Sequence, residues 1–178
     1  LYLLESQTDD LIRRLHSGDL DAAVLALPSP LDRLECQRFW QEQFLVAFPR
    51  GHALSRRKIV KTKDLPLDEL LLLEEGHCLR DHALSACHLM GQEQRSTFQG
   101  TSLYTLMQMI AGGLGVTFIP EMAIDTEFVR QVEVEVRPLA EPGPHREWAV
   151  VWRKSSHRAD EFIQLAESMR EQLRREAN

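Results

Sequence analysis

The chain has 178 residues, with 43% hydrophobic side chains, 27% charged side chains and a formal net charge of −6. This length and composition predict a soluble globular protein with a sizeable core, arranged as one domain or as two small ones. The acidic balance without a basic stripe excludes a chain that binds DNA by itself, and no apolar run reaches the roughly 20 residues of a membrane span.

The first fifty residues predict a helix among strands. The sequence Thr-Asp-Asp at residues 8–10 predicts a helix start, followed by Leu11, Ile12 and Leu15 on one face and ended by Gly18. A continuous apolar run before a proline predicts a buried strand. The predicted strands of this region are residues 1–6, 22–27 and 43–48.

The remainder of the chain alternates strands with helices, which predicts an α/β fold with parallel sheets. Thr101 or Ser102 is the predicted cap of one helix. The predicted strands are 70–73, 95–99, 116–119, 132–136 and 148–152, and the predicted helices are 77–88, 102–111 and 159–174, with a helical turn beginning at 64–66. The side chains predicted to face inward from the last helix are Phe162, Leu165, Ala166, Met169 and Leu173.

Cys78 and Cys87 lie near the two ends of one predicted helix. A spacing of nine residues along a helix is a separation of roughly 13 Å, and at about 100° per residue the two thiols point to opposite faces. A disulfide needs Cα atoms no more than about 7 Å apart. Oxidation of this pair would therefore unwind the helix, which is what a redox switch requires.

The residues around Cys78 favour the thiolate. The cysteine lies near the positive end of the helix dipole, His77 and Arg80 add positive charge, and Asp81 can accept or relay a proton. A thiolate attacks peroxide to give a sulfenic acid, which a second thiol captures as a disulfide. Cys87 suits that resolving role.

Other fates for the cysteines are open from the residues alone. Both members of the pair could be small apolar core residues. A zinc site with Cys78, Cys87 and His88 is weaker, because the paired short spacings of structural sites are missing. Cys36 is interpreted as a structural or incidental thiol. An odd number of cysteines and no signal-peptide pattern predict a reducing cytoplasm.

Four segments carry a resemblance to a known family. The motif GHCLRD at residues 76–81, with Cys87 behind it, resembles the redox centre of peroxide-sensing LysR-type transcriptional regulators. The segments LHSGDLD (15–21), TSLYTL (101–106) and AGGLGVT (111–117) with Pro120 resemble LysR-type effector domains. The similarity covers essentially all of the chain.

The resemblance implies a periplasmic-binding-protein-like fold of two Rossmann-like subdomains joined by two crossover strands. The first subdomain is expected to hold residues 1–44 and 146–178, and the second residues 45–145 with the redox cysteines. A strand and a helix of the first subdomain, and a DNA-binding domain, are expected to precede Leu1 in the family.

The resemblance also implies the site. Cys78 is the peroxidatic cysteine and Cys87 the resolving one, and hydrogen peroxide is held by Thr8, His77 and Asp81 with electrostatic support from Arg80. No metal and no cofactor are implied. Each ligand has a simpler alternative: Thr8 as a helix N-cap, Asp81 as an acidic residue favouring a helix start, and His77 as a hydrogen-bonded turn residue.

The resemblance implies that the signal reaches DNA through the oligomer. Family members are homodimers and homotetramers that bind DNA through an N-terminal winged helix-turn-helix, so the chain is interpreted as a transcription regulator and not as an enzyme. The helix 102–111 is the candidate interface, with Tyr104, Gln108 and Met109 off its core face. Two alternatives are an effector domain that binds a small organic anion and a thiol peroxidase.

Overall fold

The computed structural model describes residues 2–75, 77–89, 99–143 and 145–176. Its helices are α1 (Thr8–Ser17), α2 (Cys78–Ala86), α3 (Leu103–Ala111), α4 (Glu127–Arg130) and α5 (Ala159–Glu176). Its strands are β1 (Ala22–Leu27), β2 (Leu34–Glu42), β3 (Phe44–Pro49), β4 (Leu72–Leu73), β5 (Gln99–Gly100), β6 (Thr117–Pro120), β7 (Val134–Pro138) and β8 (Arg146–Arg153). No helix in the described ranges is both long enough and apolar enough to cross a membrane.

The contacts divide the chain into two compact units. The first unit comprises Leu1–Gln41 and Arg146–Asn178, and the second comprises Glu42–His145. The first unit is therefore assembled from both ends of the chain. The second is one continuous segment, and it carries Cys78 and Cys87.

The first unit contains a three-stranded sheet in the order β1-β8-β2. Strands β1 and β8 run antiparallel, with Ala22 opposite Trp152. Helix α1 packs against this sheet through Leu15, which is fully buried, and ends at Gly18 with a left-handed φ of 90°. The predicted helix and its glycine end are confirmed.

Helix α5 packs against the other face of that sheet. Residues alternate along β8, with Ala149 and Val151 in the cluster that contains Leu15 and Val150 and Trp152 in the cluster that contains Phe162 and Ala166. Leu165 was expected to face inward, but it is 39% exposed. That prediction is wrong: Ile163, and not Leu165, packs against the cluster that contains Phe162 and Ala166.

Two features of the first unit differ from the sequence-based expectation. The strand predicted at residues 1–6 is wrong over residues 2–6, which form neither strand nor helix and expose Tyr2 and Leu3; residue 1 lies outside the described residues. Strand β2 is not predicted at all, because its burial does not alternate with the period of two that marks a half-buried strand.

The second unit is built around an antiparallel sheet in the order β6-β3-β7. Strands β4 and β5 form a separate parallel pair, and isolated parallel bridges join Val60 to Leu139 and Leu70 to Val116. Helix α2 contributes Ala83 and Leu84 to the apolar core of this unit. Helices α2 and α3 are confirmed, and β3 and β6 lie within a residue of their predicted bounds.

The prediction of parallel sheets is wrong for the two three-stranded sheets, and it is confirmed for the strand predicted at residues 70–73, which contains β4 and pairs parallel with β5. Both three-stranded sheets contain antiparallel pairs, and the parallel contacts are confined to short segments. Strand β3 is buried along nearly its whole length. A continuous apolar run therefore reports burial on both faces, and it does not fix the direction of the neighbouring strand.

The region before α2 also departs from expectation at one point. A helical turn was predicted to begin at residues 64–66. The structure has a 3₁₀ turn at Thr62–Asp64, which ends where the predicted turn would begin. Leu65 is extended (φ −74°, ψ 129°), as the residue before a proline tends to be. Of the strand predicted at residues 95–99, only Gln99 lies within the described residues, and it belongs to β5.

Candidate redox site

Cys78 is the first residue of α2, and its side chain is half-buried. His77 precedes the helix in an extended conformation (φ −86°, ψ 113°), and its side chain makes no capping hydrogen bond within the described part of the chain. The amide groups of the first turn and the helix macrodipole therefore stabilise negative charge near Cys78. The predicted helix start at this cysteine is confirmed.

Arg80 and Asp81 occupy different environments on the first turn of α2. The Arg80 side chain is 14% exposed, and its Nη2 lies 3.7 Å from Oε1 of Glu75. Its Nη1 is buried and has no hydrogen-bond partner among the described residues. Asp81 is exposed and His77 is half-buried. The positive charge thus lies inside the protein, while the carboxylate lies at the surface.

Cys87 caps the other end of α2. Its amide donates to the carbonyl oxygen of Ala83 at 3.2 Å, and its side chain is 1% exposed within an apolar cluster that includes Leu84 and Leu89. Burial raises the pKa of the Cys87 thiol to about 12. The thiol is therefore neutral and sequestered at neutral pH.

The two thiols are separated by an unbroken helix. Helix α2 runs from Cys78 to Ala86, Cys87 follows it directly, and both cysteines are free. Helix geometry places the two Cα atoms roughly 13 Å apart, well beyond the roughly 7 Å that a disulfide tolerates. A bond between them requires α2 to unwind.

Two residues beside Cys87 are absent from the sequence-based prediction. The pKa of the Cys87 thiol is raised by burial and by the charge of Glu141, and it is lowered by the side chain of Thr62. Thr62 also binds Glu141. Its backbone amide donates to Oε1 of Glu141 at 2.8 Å, and its hydroxyl donates to the same oxygen. Both residues lie far from Cys87 along the chain, and neither belongs to a motif, so no local signal could have identified them.

Thr8 lies in the first unit. It is the first residue of α1, and the N-cap is Gln7. The interpretation of Thr8 as an N-cap is wrong, because its backbone is already helical and the extended residue that precedes a helix is the cap. Its role toward peroxide stays a prediction.

The third cysteine and the question of a metal can be described briefly. Cys36 lies in β2, half-buried, and packs against the apolar cluster around Leu15. Within the described ranges, no group of three or more histidine, cysteine or acidic side chains could hold a metal ion. Cys36 has the environment of a structural thiol.

The candidate interface helix has the expected cap and exposure. Ser102 Oγ accepts a hydrogen bond from the Thr105 amide at 3.2 Å, which confirms the predicted capping residue. Tyr104 is 56% exposed, Gln108 is exposed and Met109 is half-buried. These side chains are available for contact, and their part in an interface stays a prediction.

Comparisons with known proteins agree on one family. A family model described as the LysR substrate binding domain matches residues 1–174. The chain is 37% identical over 173 residues to the hydrogen peroxide-inducible genes activator of Dickeya chrysanthemi, and 36% identical over 173 residues to the DNA-binding transcriptional dual regulator OxyR of Escherichia coli K12. Each match covers 97% of this chain and 56% of the relative. The chain thus spans about half the length of these curated relatives.

A solved structure covers the same region. The OxyR2 E204G regulatory domain from Vibrio vulnificus is 42% identical, with a TM-score of 0.87 over 96% of this chain and 82% of that chain. The expected α/β fold of two periplasmic-binding-protein-like subdomains is confirmed. The chain belongs to the family of LysR substrate-binding domains, and its relatives within that family include OxyR regulatory domains.

Proposed function

We propose that this chain is the peroxide-sensing regulatory domain of a LysR-type transcription regulator, in which Cys78 and Cys87 form a disulfide. The observation that carries the proposal is the pair of free thiols at opposite ends of α2, one half-buried and the other inside the core. The names of the relatives, which include hydrogen peroxide-inducible genes activators, support it.

The chemistry has two steps. The Cys78 thiolate attacks one oxygen of hydrogen peroxide, so that a sulfur–oxygen bond forms, the oxygen–oxygen bond breaks and hydroxide leaves, taking up a proton to become water. The Cys87 sulfur then attacks the sulfenic sulfur, the sulfur–oxygen bond breaks, and the proton of Cys87 leaves with that hydroxide as a second water. Two thiols are oxidised, and one peroxide is reduced.

Four further side chains have proposed roles in the first step. Thr8, His77 and Asp81 hold the peroxide, with a hydroxyl or imidazole donating to the leaving oxygen and the carboxylate or imidazole accepting the thiol proton. Arg80 supports the negative charge of the attacking sulfur. The buried Nη1 of Arg80, which has no partner among the residues that the structure describes, supports this role, because such a donor gains by meeting an anion.

The second step is also the signal. Cys87 must leave the apolar core to reach Cys78, so α2 unwinds and the contacts that it makes in the second unit change. In a homodimer or homotetramer, this change would reposition an N-terminal winged helix-turn-helix on DNA and activate transcription of peroxide-defence genes. A cytoplasmic location would keep the pair reduced between signals.

The test is a timed reaction of the reduced protein with about one equivalent of hydrogen peroxide, followed by peptide mass spectrometry without reductant. We expect a fast Cys78–Cys87 crosslink that is lost in Cys78→Ser. In Cys87→Ser we expect a trapped sulfenic acid on Cys78, because the first step does not need the second thiol.

Slow and unselective oxidation that includes Cys36 would contradict the proposal. The domain would then be a LysR-type effector domain for a small organic metabolite, and a thermal-shift screen of organic anions would identify the ligand. Sustained peroxide consumption with a thiol reductant would instead indicate a peroxidase.

A further inference from the structure

We propose that His88 is a positioning residue whose left-handed backbone holds the C-terminal end of α2 under strain and thereby sets the rate at which Cys87 leaves the core to form the disulfide. This inference rests on the proposed function, since it concerns the resolving step. The residues involved are Cys87, His88 and Leu89, which directly follow the last residue of α2. We call these three residues the α2 cap.

The α2 cap has the hydrogen bonds of a Schellman motif. The Leu89 amide donates to the Leu84 carbonyl at 2.8 Å, and the His88 amide donates to the Ser85 carbonyl at 3.0 Å. These two carbonyl groups are among those that the end of a helix leaves without a partner inside the helix. The cap therefore stabilises the last turn of α2, and its hydrogen bonds break when that turn unwinds.

An apolar contact anchors the α2 cap in the core of the second unit. Leu89 is 4% exposed, and it belongs to the same apolar cluster as Leu84 and Ala83 on the last two turns of α2. A contact between these positions often accompanies the Schellman motif. Cys87 belongs to this cluster as well. The same cap that ends the helix thus keeps the second thiol buried.

The motif requires one residue in the left-handed conformation, and in α2 this residue is His88. Its φ is 54°. Glycine adopts such a φ without steric cost, whereas a Cβ atom makes it unfavourable. Helix α1 ends in the usual way, at Gly18 with a φ of 90°. The His88 side chain is exposed, so packing in the core does not explain why a residue with a Cβ atom occupies this position.

The strain at His88 favours opening of the α2 cap. Cys87 can bond to Cys78 only when the intervening helix unwinds, because helix geometry holds their Cα atoms roughly 13 Å apart. Unwinding breaks the two hydrogen bonds of the cap, but it also allows His88 to return to a negative φ. The relief of strain lowers the cost of the resolving step. Oxidation of Cys78 takes place at the other end of α2 and leaves the cap closed.

The test compares His88→Gly with His88→Ala. Both substitutions remove the imidazole, but only glycine relieves the backbone strain. His88→Asn is the conservative variant, because asparagine is enriched among residues with a left-handed backbone. Arg33→Gly is the matched control, since Arg33 is exposed and has a φ of 57° in the first unit. The rates of sulfenic acid formation and of disulfide formation are measured separately after rapid mixing with peroxide.

We expect disulfide formation to be about two- to tenfold slower in His88→Gly, which is the cost of the left-handed conformation less the extra freedom that glycine gains in the unwound segment. The sulfenic acid step should be unchanged. His88→Ala should form the disulfide at least as fast as the wild type, and His88→Asn should lie between the glycine and alanine variants. Arg33→Gly should leave both steps unchanged.

Three results would overturn the role of His88. The first is a disulfide rate in His88→Gly that is unchanged or faster. The second is equal slowing in His88→Gly and His88→Ala, because the imidazole and not the backbone would then control the step. The third is equal slowing in Arg33→Gly, since strain outside α2 would then have the same effect.

A readout without peroxide separates this inference from the proposed function. In the reduced protein, hydrogen exchange of the Cys87 amide, which donates to the Ala83 carbonyl at 3.2 Å, should be about two- to tenfold slower in His88→Gly than in wild type, His88→Ala or Arg33→Gly. If exchange follows this order but peroxide forms no disulfide in any variant, the strained cap stands and the proposed function fails. If the wild-type disulfide forms normally and its rate is the same in His88→Gly, the function stands and the role of His88 fails.

Discussion

The two ends of α2 give the same side chain opposite surroundings. At the first end, Cys78 is half-buried beside the positive end of the helix, with the Arg80 guanidinium on the same turn. At the second end, Cys87 is 1% exposed and packed among apolar side chains. The thiolate is the reactive form of cysteine. Under the proposed function, these surroundings favour reaction at Cys78 before Cys87, because the half-buried first thiol is the more accessible and the second is sequestered.

Alkylation kinetics should show the largest difference between the two ends. At pH 8, Cys87 in the native reduced protein should react with iodoacetamide about a thousandfold more slowly than in the unfolded chain, since its pKa is about 12 instead of 9.0 and each unit is tenfold in thiolate. Cys78 should react faster than Cys87. Mass spectrometry of timed samples measures both rates. Equal alkylation rates for Cys78 and Cys87 in the native protein would contradict the comparison.

A pair of leucine substitutions tests how firmly each end of the helix is anchored. Leu84 is 5% exposed in the core beside Cys87, so Leu84→Ala should lower the free energy of unfolding by about 2–5 kcal/mol. Leu79 follows Cys78 and is only partly buried, so Leu79→Ala should cost less. Urea denaturation measures both. If Leu79→Ala lowered the free energy of unfolding more than Leu84→Ala, the comparison would be contradicted, because the Cys78 end of α2 would then be the more tightly packed.

The pH dependence of stability gives the smallest effect when it is measured over a single pH unit. The Cys87 thiol keeps its proton to a pKa of about 12 in the folded protein, against 9.0 when unfolded. Between these values the unfolded chain binds fewer protons, so this group's contribution to stability is complete below pH 9 and is lost as pH rises toward 12. The loss should reach about 1.4 kcal/mol per pH unit.

Cys87→Ala is the control for that measurement, because it removes the titrating group. Its free energy of unfolding should fall less steeply above pH 9 than that of the wild type, so the gap between the two narrows. Parallel stability curves above pH 9 would show that Cys87 titrates in the folded protein as it does in the unfolded chain.

The sequence could predict what depends on neighbours along the chain. The start of α2 at Cys78, the Gly18 end of α1 and the Ser102 cap of α3 follow from local patterns, and the structure confirms them. The contradiction between cysteine spacing and disulfide geometry also needs only helix dimensions. The positions of the two cysteines at opposite ends of α2 could therefore be predicted from the sequence.

The surroundings of Cys87 and the directions of the strands depend on pairings between distant segments, which no local pattern encodes. Thr62 and Glu141 meet because Val60 bridges to Leu139, and the core around Cys87 combines residues from several distant segments. Strand direction around β3 depends on the same kind of distant pairing, so the prediction of parallel strands was wrong for this sheet. The exposure of Leu165 and the packing of Ile163 depend on how α5 is rotated on its sheet, which helix periodicity alone does not give.

The most direct test of the central claim is hydrogen exchange of the α2 amides in the dithiol and disulfide forms. In the dithiol form, the Cys87 amide and its neighbours should be protected, as the hydrogen bond to the Ala83 carbonyl indicates. In the disulfide form, we expect this protection to be lost, while the amides of α3 around Leu106 keep theirs. A Cys78–Cys87 disulfide with α2 still protected would contradict the account, because it would mean that the bond forms without unwinding the helix.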